Sequence, residues 1–350
     1  MAKITDVARA AGVSIATVSR VLNQPSTVVQ DKRERVLAAV RELQYSPNRL
    51  AHALRAGQVM SVALLVADIS QPFHGALAKA LDREGERLGY RVLLRDLDHK
   101  QERLLKALGE LRTSDTYGVV LATPDNLSTP VIRNAIAQAQ ERGLVVVCSS
   151  QIIVDSDVPA VLPRYQAISH LATQHLVTSG VGPIIFVGGG DESPLSLERR
   201  SGFEQACREL GHLLEPDLIL DGRFTVGGSY QATLEALDRQ QNRMQHPGTR
   251  PIGIIAVNFT MAIGAMQAAA ERGLLVPRDI RLVCCEELPL ATAWHPPITT
   301  VGIDFATLAA ATFAALVAGR KAPRVTPVPH RLVVRASSQP PVAGKGAPGA

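Results

Sequence analysis

From residue 60 onward the chain alternates short apolar runs with amphipathic segments, and that alternation limits the fold more than any other feature. SVALLVADI, beginning at Ser61, is a continuous apolar run of the kind that forms a strand buried on both faces. Apolar residues at helical spacing follow over 77–88. Then come YRVLLRDL as a strand, a helix over 101–111, YGVVLAT as a strand, a helix over 130–142 and GLVVVCSS as a strand. Strands separated by helices in this way form a parallel sheet with helices on both faces. After Pro159-Ala160-Val161-Leu162 a second set of similar size begins: helix 168–179, IIFVGGG, helix 197–210, LILDGRF, helix 230–241, PIGIIAV, helix 260–272 and RLVCCEE. Two such sets predict two similar lobes with a cleft between them. ITTVGI, a helix over 305–318 and HRLVVRAS come last and are expected to cross back between the lobes. Residues 337–350 are rich in Pro, Gly and Ala and read as a disordered tail.

The first sixty residues have a different texture. TDVARAAGVSIATVSRVLN, from Thr5 to Asn23, reads as a short helix over 6–11, a tight turn at Gly12-Val13 and a second helix capped by Ser14 and running to about Leu22. Ala8, Val13, Val18 and Val21 can share one small core, which leaves Ile15, Ala16, Thr17, Ser19 and Arg20 on the outer face. This is the pattern of a helix-turn-helix, whose second helix places its N-terminal residues in the major groove of DNA. A third helix is expected over 30–43, with Val36, Leu37, Val40 and Leu43 at helical spacing. PNRLAHALRAG, over 47–57, could form a further short helix opened by Pro47 and closed by Gly57; at that length it is marginal alone. Residues 1–60 hold nine Lys/Arg against four Asp/Glu, an excess that equals the +5 of the whole chain. The basic charge therefore sits on the segment that carries the helix-turn-helix, the footprint of a phosphate-binding module.

The remaining composition excludes several classes. No apolar run reaches membrane-spanning length, and MAKITDVARA lacks the apolar core of a signal peptide. Cys148, Cys207, Cys284 and Cys285 show no metal-ligand spacing and read as reduced thiols of a cytoplasmic protein. Gly188-Gly189-Gly190 follows a strand but matches no phosphate-loop pattern, and His170 and His175, five apart on one helix, do not share a face. No catalytic constellation or cofactor site emerges. A transport binding protein would suit the lobes but not the basic N-terminal module.

The ordered set ITDVARAAGVSIATVSRVLN, YSPNRLAHALRAG, SVALLVADISQPF, RRSGFEQA, NFTMAIGAMQAAAERGLLVP and PPITTV resembles the lac-repressor (LacI/GalR) family of transcription regulators over residues 3 to about 337. The resemblance implies an all-α helix-turn-helix domain over 1–46, a hinge helix over 47–59 and a two-lobed α/β domain over 60–336 like the periplasmic binding proteins. Lobe 1 is expected over about 60–161 plus 292–325, and lobe 2 over about 162–291 plus 326–336. It implies a homodimer, or a tetramer, on a near-palindromic operator in double-stranded DNA, with repression the commoner outcome and no membrane association. On that pattern Ile15, Ala16 and Arg20 reach base edges, Arg20 being the residue suited to bidentate contact with guanine. Thr5, Ser14, Thr17, Ser19 and Asn23 would hold phosphates. In the hinge, Leu54 would wedge into the central base step while Asn48, Arg49, Ala51, His52 and Arg55 line the minor groove.

The same resemblance implies a small-molecule effector in the cleft, held by Phe73 in the ISQPF loop, Ser196 and Arg199, Phe224, Asn258 and Glu286. Rings to stack on, donors in Arg and Asn, and a carboxylate acceptor suit a sugar. The chain departs from the family at Phe259, Cys284-Cys285-Glu286-Glu287, Ser149-Ser150, Arg164-Tyr165, Gly180-Val181-Gly182 and, where a Ser usually caps the third helix, Val29. Two acids lost and one Arg gained tilt the cleft toward an anion, a sugar phosphate or a sugar acid.

Overall fold

The computed structural model describes residues 4–23, 28–43, 60–244 and 248–339. Contacts divide the chain into two units, Met1–Val59 and Met60–Ala350.

In the first unit, α1 (Ile4–Ala11), α2 (Ile15–Asn23) and α3 (Gln30–Glu42) enclose a core of Val7, Ala8, Ala11, Val18, Val21, Val36 and Ala39. Val13, Val28, Val40 and Leu43 pack against it. The turn between α1 and α2 depends on Gly12, whose φ of 61° lies in the left-handed region, and on the Val13 N–H reaching the Ala8 carbonyl at 3.0 Å. Leu37, expected on the inner face of the third helix, is instead exposed; the core is completed by the smaller Ala39. The segment 47–57, with Asn48, Arg49, Ala51, His52, Leu54 and Arg55, lies outside the described residues.

The second unit is built on two parallel-dominated sheets. The first contains β1 (Ser61–Val66), β2 (Arg91–Asp96), β3 (Thr116–Ala122), β4 (Val145–Cys148), β5 (Ala160–Pro163) and β11 (Val325–Val328), in the order 2-1-3-4-5-11. The second contains β6 (Ile184–Gly188), β7 (Ile219–Asp221), β8 (Ile252–Ala256), β9 (Ile280–Cys284), β10 (Thr299–Ile303) and β12 (His330–Val333), in the order 7-6-8-9-10-12. Only β12 runs antiparallel, against β10. All six positions of β1 and all five of β6 and β8 are buried, as their unbroken apolar sequences require. Around the first sheet lie α4 (Pro72–Leu88), α5 (Gln101–Glu110), α6 (Pro130–Glu141) and α12 (Phe305–Ala318). Around the second lie α7 (Tyr165–Thr178), α8 (Pro194–Glu209), α9 (Val226–Met244), α10 (Phe259–Glu271) and the short α11 (Leu290–Ala293).

Three expectations change. The chain crosses between lobes just after Pro163, between Ile303 and Phe305, and between Val328 and His330. So β10 belongs to the second lobe rather than the first, and β11, expected in the second, closes the edge of the first by pairing with β5. Phe73 is not in a loop: Pro72 opens α4, so Phe73 stands in its first turn. Nor does disorder begin at residue 337. Ser337 and Ser338 are buried, with the Ser337 hydroxyl donating to Leu282 O (2.6 Å) and accepting from Thr299 N (2.8 Å). Arg335, donating to Glu287 at 2.6 Å, secures the same segment.

Candidate ligand cleft and nucleic-acid interface

Both sheets reverse strand order once, between β1 and β3 in the first and between β6 and β8 in the second. The loops leaving the carboxyl ends of those strands face one another, the position where open α/β sheets bind ligands. Between them lies a cavity lined from both lobes. The first lobe contributes Gln71, Phe73, His74, His99, Thr123, Ser149 and Ser150; the second contributes Tyr165, Leu195, Arg199, Phe224, Asn258 and Glu286. The structure thus brings Phe73, Arg199, Phe224, Asn258 and Glu286 together on one surface. Ser196 does not line it: the residue is buried and its hydroxyl has no hydrogen-bond partner. It lies against the Phe224 ring at Gly189, where a Cβ would overlap both.

Phe224 and Arg223 adopt φ of 55° and 52°, a conformation rare for residues with a side chain. Asp221 holds it by accepting from the Arg223 N–H at 2.8 Å. The bend offers the Phe224 carbonyl to the opposite lobe, where Gln71 Nε2 donates to it across the cleft at 2.8 Å. Gln71 Oε1 accepts from Asn258 Nδ2 (3.3 Å) and Thr260 Oγ1 (3.4 Å), so one glutamine ties the first lobe to two loops of the second. Ser193 Oγ adds a second tie, donating to the Pro124 carbonyl at 3.2 Å. Asn258 also caps α10, its Oδ1 accepting from Met261 N at 2.8 Å.

Glu286 accepts from the Phe259 N–H at 2.9 Å. Burial pushes its carboxyl up to about 7, against the downward pull of that N–H and of the Arg199 charge. Arg199 stacks on the Tyr165 ring, with Cζ 4.4 Å from the centroid, and burial pushes the Tyr165 phenol well above its ordinary value despite the guanidinium. On the other wall, His74 Nδ1 lies 2.6 Å from the Asp68 carbonyl, to which it donates. Burial lowers the His74 pKa, outweighing Asp68, so the neutral ring keeps Nε2 as an acceptor. His99 bonds Asp125 at 2.8 Å, which raises the imidazole pKa; burial pushes Asp125 upward, but His99 and Thr123 outweigh it and the carboxyl titrates low. Gln71, His74, His99 and Thr123 escaped the sequence reading. His99 and Thr123 lie just beyond strand ends and Gln71 and His74 at the start of α4, positions that signal them only once the strand order is known. Among the described residues no cluster of His, Cys, Asp and Glu is arranged to hold a metal ion, and no helix is long and apolar enough to cross a membrane.

In the first unit, burial of Val18 and Val21 turns the opposite face of α2 outward. Ile15 (47% exposed), Ala16 and Arg20 are exposed there, and Arg20 has no ion-pair partner among the described residues. Ser14 caps the helix: its Oγ accepts from Thr17 N at 3.2 Å and shares a 2.9 Å hydrogen bond with Thr17 Oγ1. Thr5 and Ser14 are exposed and Thr17 is half-buried. Ser19 and Asn23 fall on α2, with side chains outside the described residues.

A helix-turn-helix unit on the same chain as a two-lobed cleft defines a DNA-binding regulator with its own ligand-binding domain. The family model for bacterial regulatory proteins of the lacI family matches residues 3–48, and that for a periplasmic binding protein-like domain matches residues 173–338. The transcriptional regulator DegA of Bacillus subtilis is 30% identical over 96% of this chain and 98% of its own length. Catabolite control protein A of Priestia megaterium is 28% identical over 85% and 86%. Among solved structures, the lac repressor dimer bound to operator and the anti-inducer ONPF is 25% identical, with a TM-score of 0.65 over 97% of this chain and 99% of that one. The chain belongs to the lacI family of bacterial regulatory proteins and is a DNA-binding transcriptional regulator.

Proposed function

We propose that this regulator works in the cytoplasm as a homodimer, or a dimer of dimers, that represses transcription from a near-palindromic operator and is controlled by a sugar-like effector in the interlobe cleft. The observation that carries the DNA reading is the outward face of α2. Val18 and Val21 are buried in the core, and the exposed N-terminal part offers two apolar contacts, Ile15 and Ala16, beside the guanidinium of Arg20. Arg20 reads guanine, while Ile15 and Ala16 meet apolar base edges such as the thymine methyl. Thr5, Ser14, Thr17, Ser19 and Asn23 fix register on phosphates.

Residues 47–59 act as the hinge, with Leu54 as the wedge and Asn48, Arg49, Ala51, His52 and Arg55 along the minor groove. A ligand that changes the angle between the lobes changes how the paired hinges order on DNA. The lac repressor structure with operator and anti-inducer bound supports this arrangement.

The reading is tested by measuring binding of Arg20→Ala to operator and to random duplex. Operator affinity should fall by about 1–3 kcal/mol per half-site with relaxed base preference at one position. An equal loss on both duplexes would refute base reading.

A further inference from the structure

The cleft contains a buried charge with no ion-pair partner among the described residues. Arg199 is only 6% exposed, and its Nε has no hydrogen-bond partner. An arginine cannot shed its proton, and a buried guanidinium without a counter-charge is unfavourable. The nearest acid lining the cavity, Glu286, is turned to the Phe259 N–H and makes no ion pair with it. Burial also holds that carboxyl half protonated near neutrality.

We propose that the cleft is built for a monocarboxylate, a polyhydroxylated sugar acid whose carboxylate seats on Arg199. The inference rests on the cleft being the effector site, as proposed above. Stacking on Tyr165 at 4.4 Å fixes the plane of the guanidinium fork, which suits two parallel hydrogen bonds to a carboxylate.

A phosphate fits less well for two reasons. Among the described residues Arg199 is the one Lys or Arg lining the cavity, whereas a phosphate monoester carries nearly two negative charges. Phosphates also favour free N–H groups at helix starts, and at the starts of α7 and α10, which bring Tyr165 and Asn258 to the cavity, side chains already take them. Glu286 takes the Phe259 N–H, Asn258 that of Met261, and Glu198 those of Tyr165 and Gln166. The remaining lining suits a hydroxyl-bearing body: hydroxyls of Thr123, Ser149 and Ser150, the His74 imidazole, and the faces of Phe73 and Phe224.

The test is calorimetric titration of the full-length protein with gluconate, galactonate, glucuronate and galacturonate, set against glucose, galactose and their 6-phosphates. At least one acid should bind ten times or more tightly than its neutral and phosphorylated counterparts. Arg199→Gln should erase that preference, while Arg199→Lys, which keeps the charge but not the fork, retains part of it. Circular dichroism on both variants verifies folding. Tighter binding of a neutral sugar or a phosphate overturns the monocarboxylate inference and leaves the cleft reading standing. Binding by none of the three classes overturns both.

Discussion

Replacing Glu286 with glutamine isolates one buried carboxyl and turns its environment into a measurable pH dependence. The ordinary glutamate value is 4.5, and burial raises it here to about 7. At about 1.4 kcal/mol per pH unit, that difference corresponds to about 3 kcal/mol of native-state stability. The sign follows from proton binding. Between pH 4.5 and 7 the folded protein keeps a proton that the unfolded chain has released. The contribution is therefore fully present below pH 4.5, declines as pH rises, and is gone above about 7. Glutamine stays neutral throughout, and its Oε1 can still accept from Phe259 N. The stability of Glu286→Gln minus that of the wild type should accordingly climb by about 3 kcal/mol between pH 4 and pH 8. Urea unfolding at half-unit pH intervals would measure it, followed by fluorescence of Trp294, the single tryptophan, whose ring meets Phe259 edge-on at 6.3 Å. Two parallel stability curves, offset by a constant, would refute the claim that this carboxyl is held neutral by burial.

Other perturbations test separate parts of the molecule. A Cβ at Gly202 would overlap the Gln166 carbonyl where α8 crosses α7, so Gly202→Ala should cost about 2–3 kcal/mol in chemical unfolding. Gly75→Ala, at an exposed position of α4 where nothing lies within 4 Å of the added Cβ, should instead gain about 0.5–1 kcal/mol. Gln71→Ala removes the tie to Phe224; at about 1 kcal/mol for one neutral hydrogen bond, the ligand-free cleft should open roughly fivefold more often, seen as a larger radius of gyration in solution scattering. Leu54→Ala should weaken operator binding roughly tenfold while leaving dimer mass and ligand affinity unchanged; undiminished operator affinity would remove the wedge.

Sequence patterns were most legible where burial is uniform. Strands such as β6 and β8 carry no polar side chain on either face, so their apolar runs announce them, and α2 starts at Ile15 because Ser14 caps it. Edge strands were harder. β11 contains Pro327 and is partly exposed, so VTPV looks like loop until β5 is seen pairing with it. The sheet to which β10 belongs is not a local property at all; ITTV would read the same in either lobe. In the cleft, Phe73, Arg199, Phe224, Asn258 and Glu286 were reached through family resemblance, since no spacing in the sequence brings residues 73 and 286 together. The left-handed backbone at Arg223-Phe224 had no signal, because neither residue is the glycine or asparagine that usually marks such a turn.

The three crossings between lobes set the order in which the molecule can be completed on the ribosome. The helix-turn-helix unit draws its whole core from residues 7–43 and can close as soon as those residues emerge. Neither lobe has that freedom. The first lacks its edge strand until residues 325–328 appear, and the second gains β10 at residues 299–303 but lacks β12 until residue 333. Until then β5 and β10 present unpaired edges, the kind of surface that recruits stray strands. A nascent chain therefore holds a finished helix-turn-helix unit well before it has a finished ligand cleft, and loss of residues 325–333 would leave two open sheets rather than one shortened lobe.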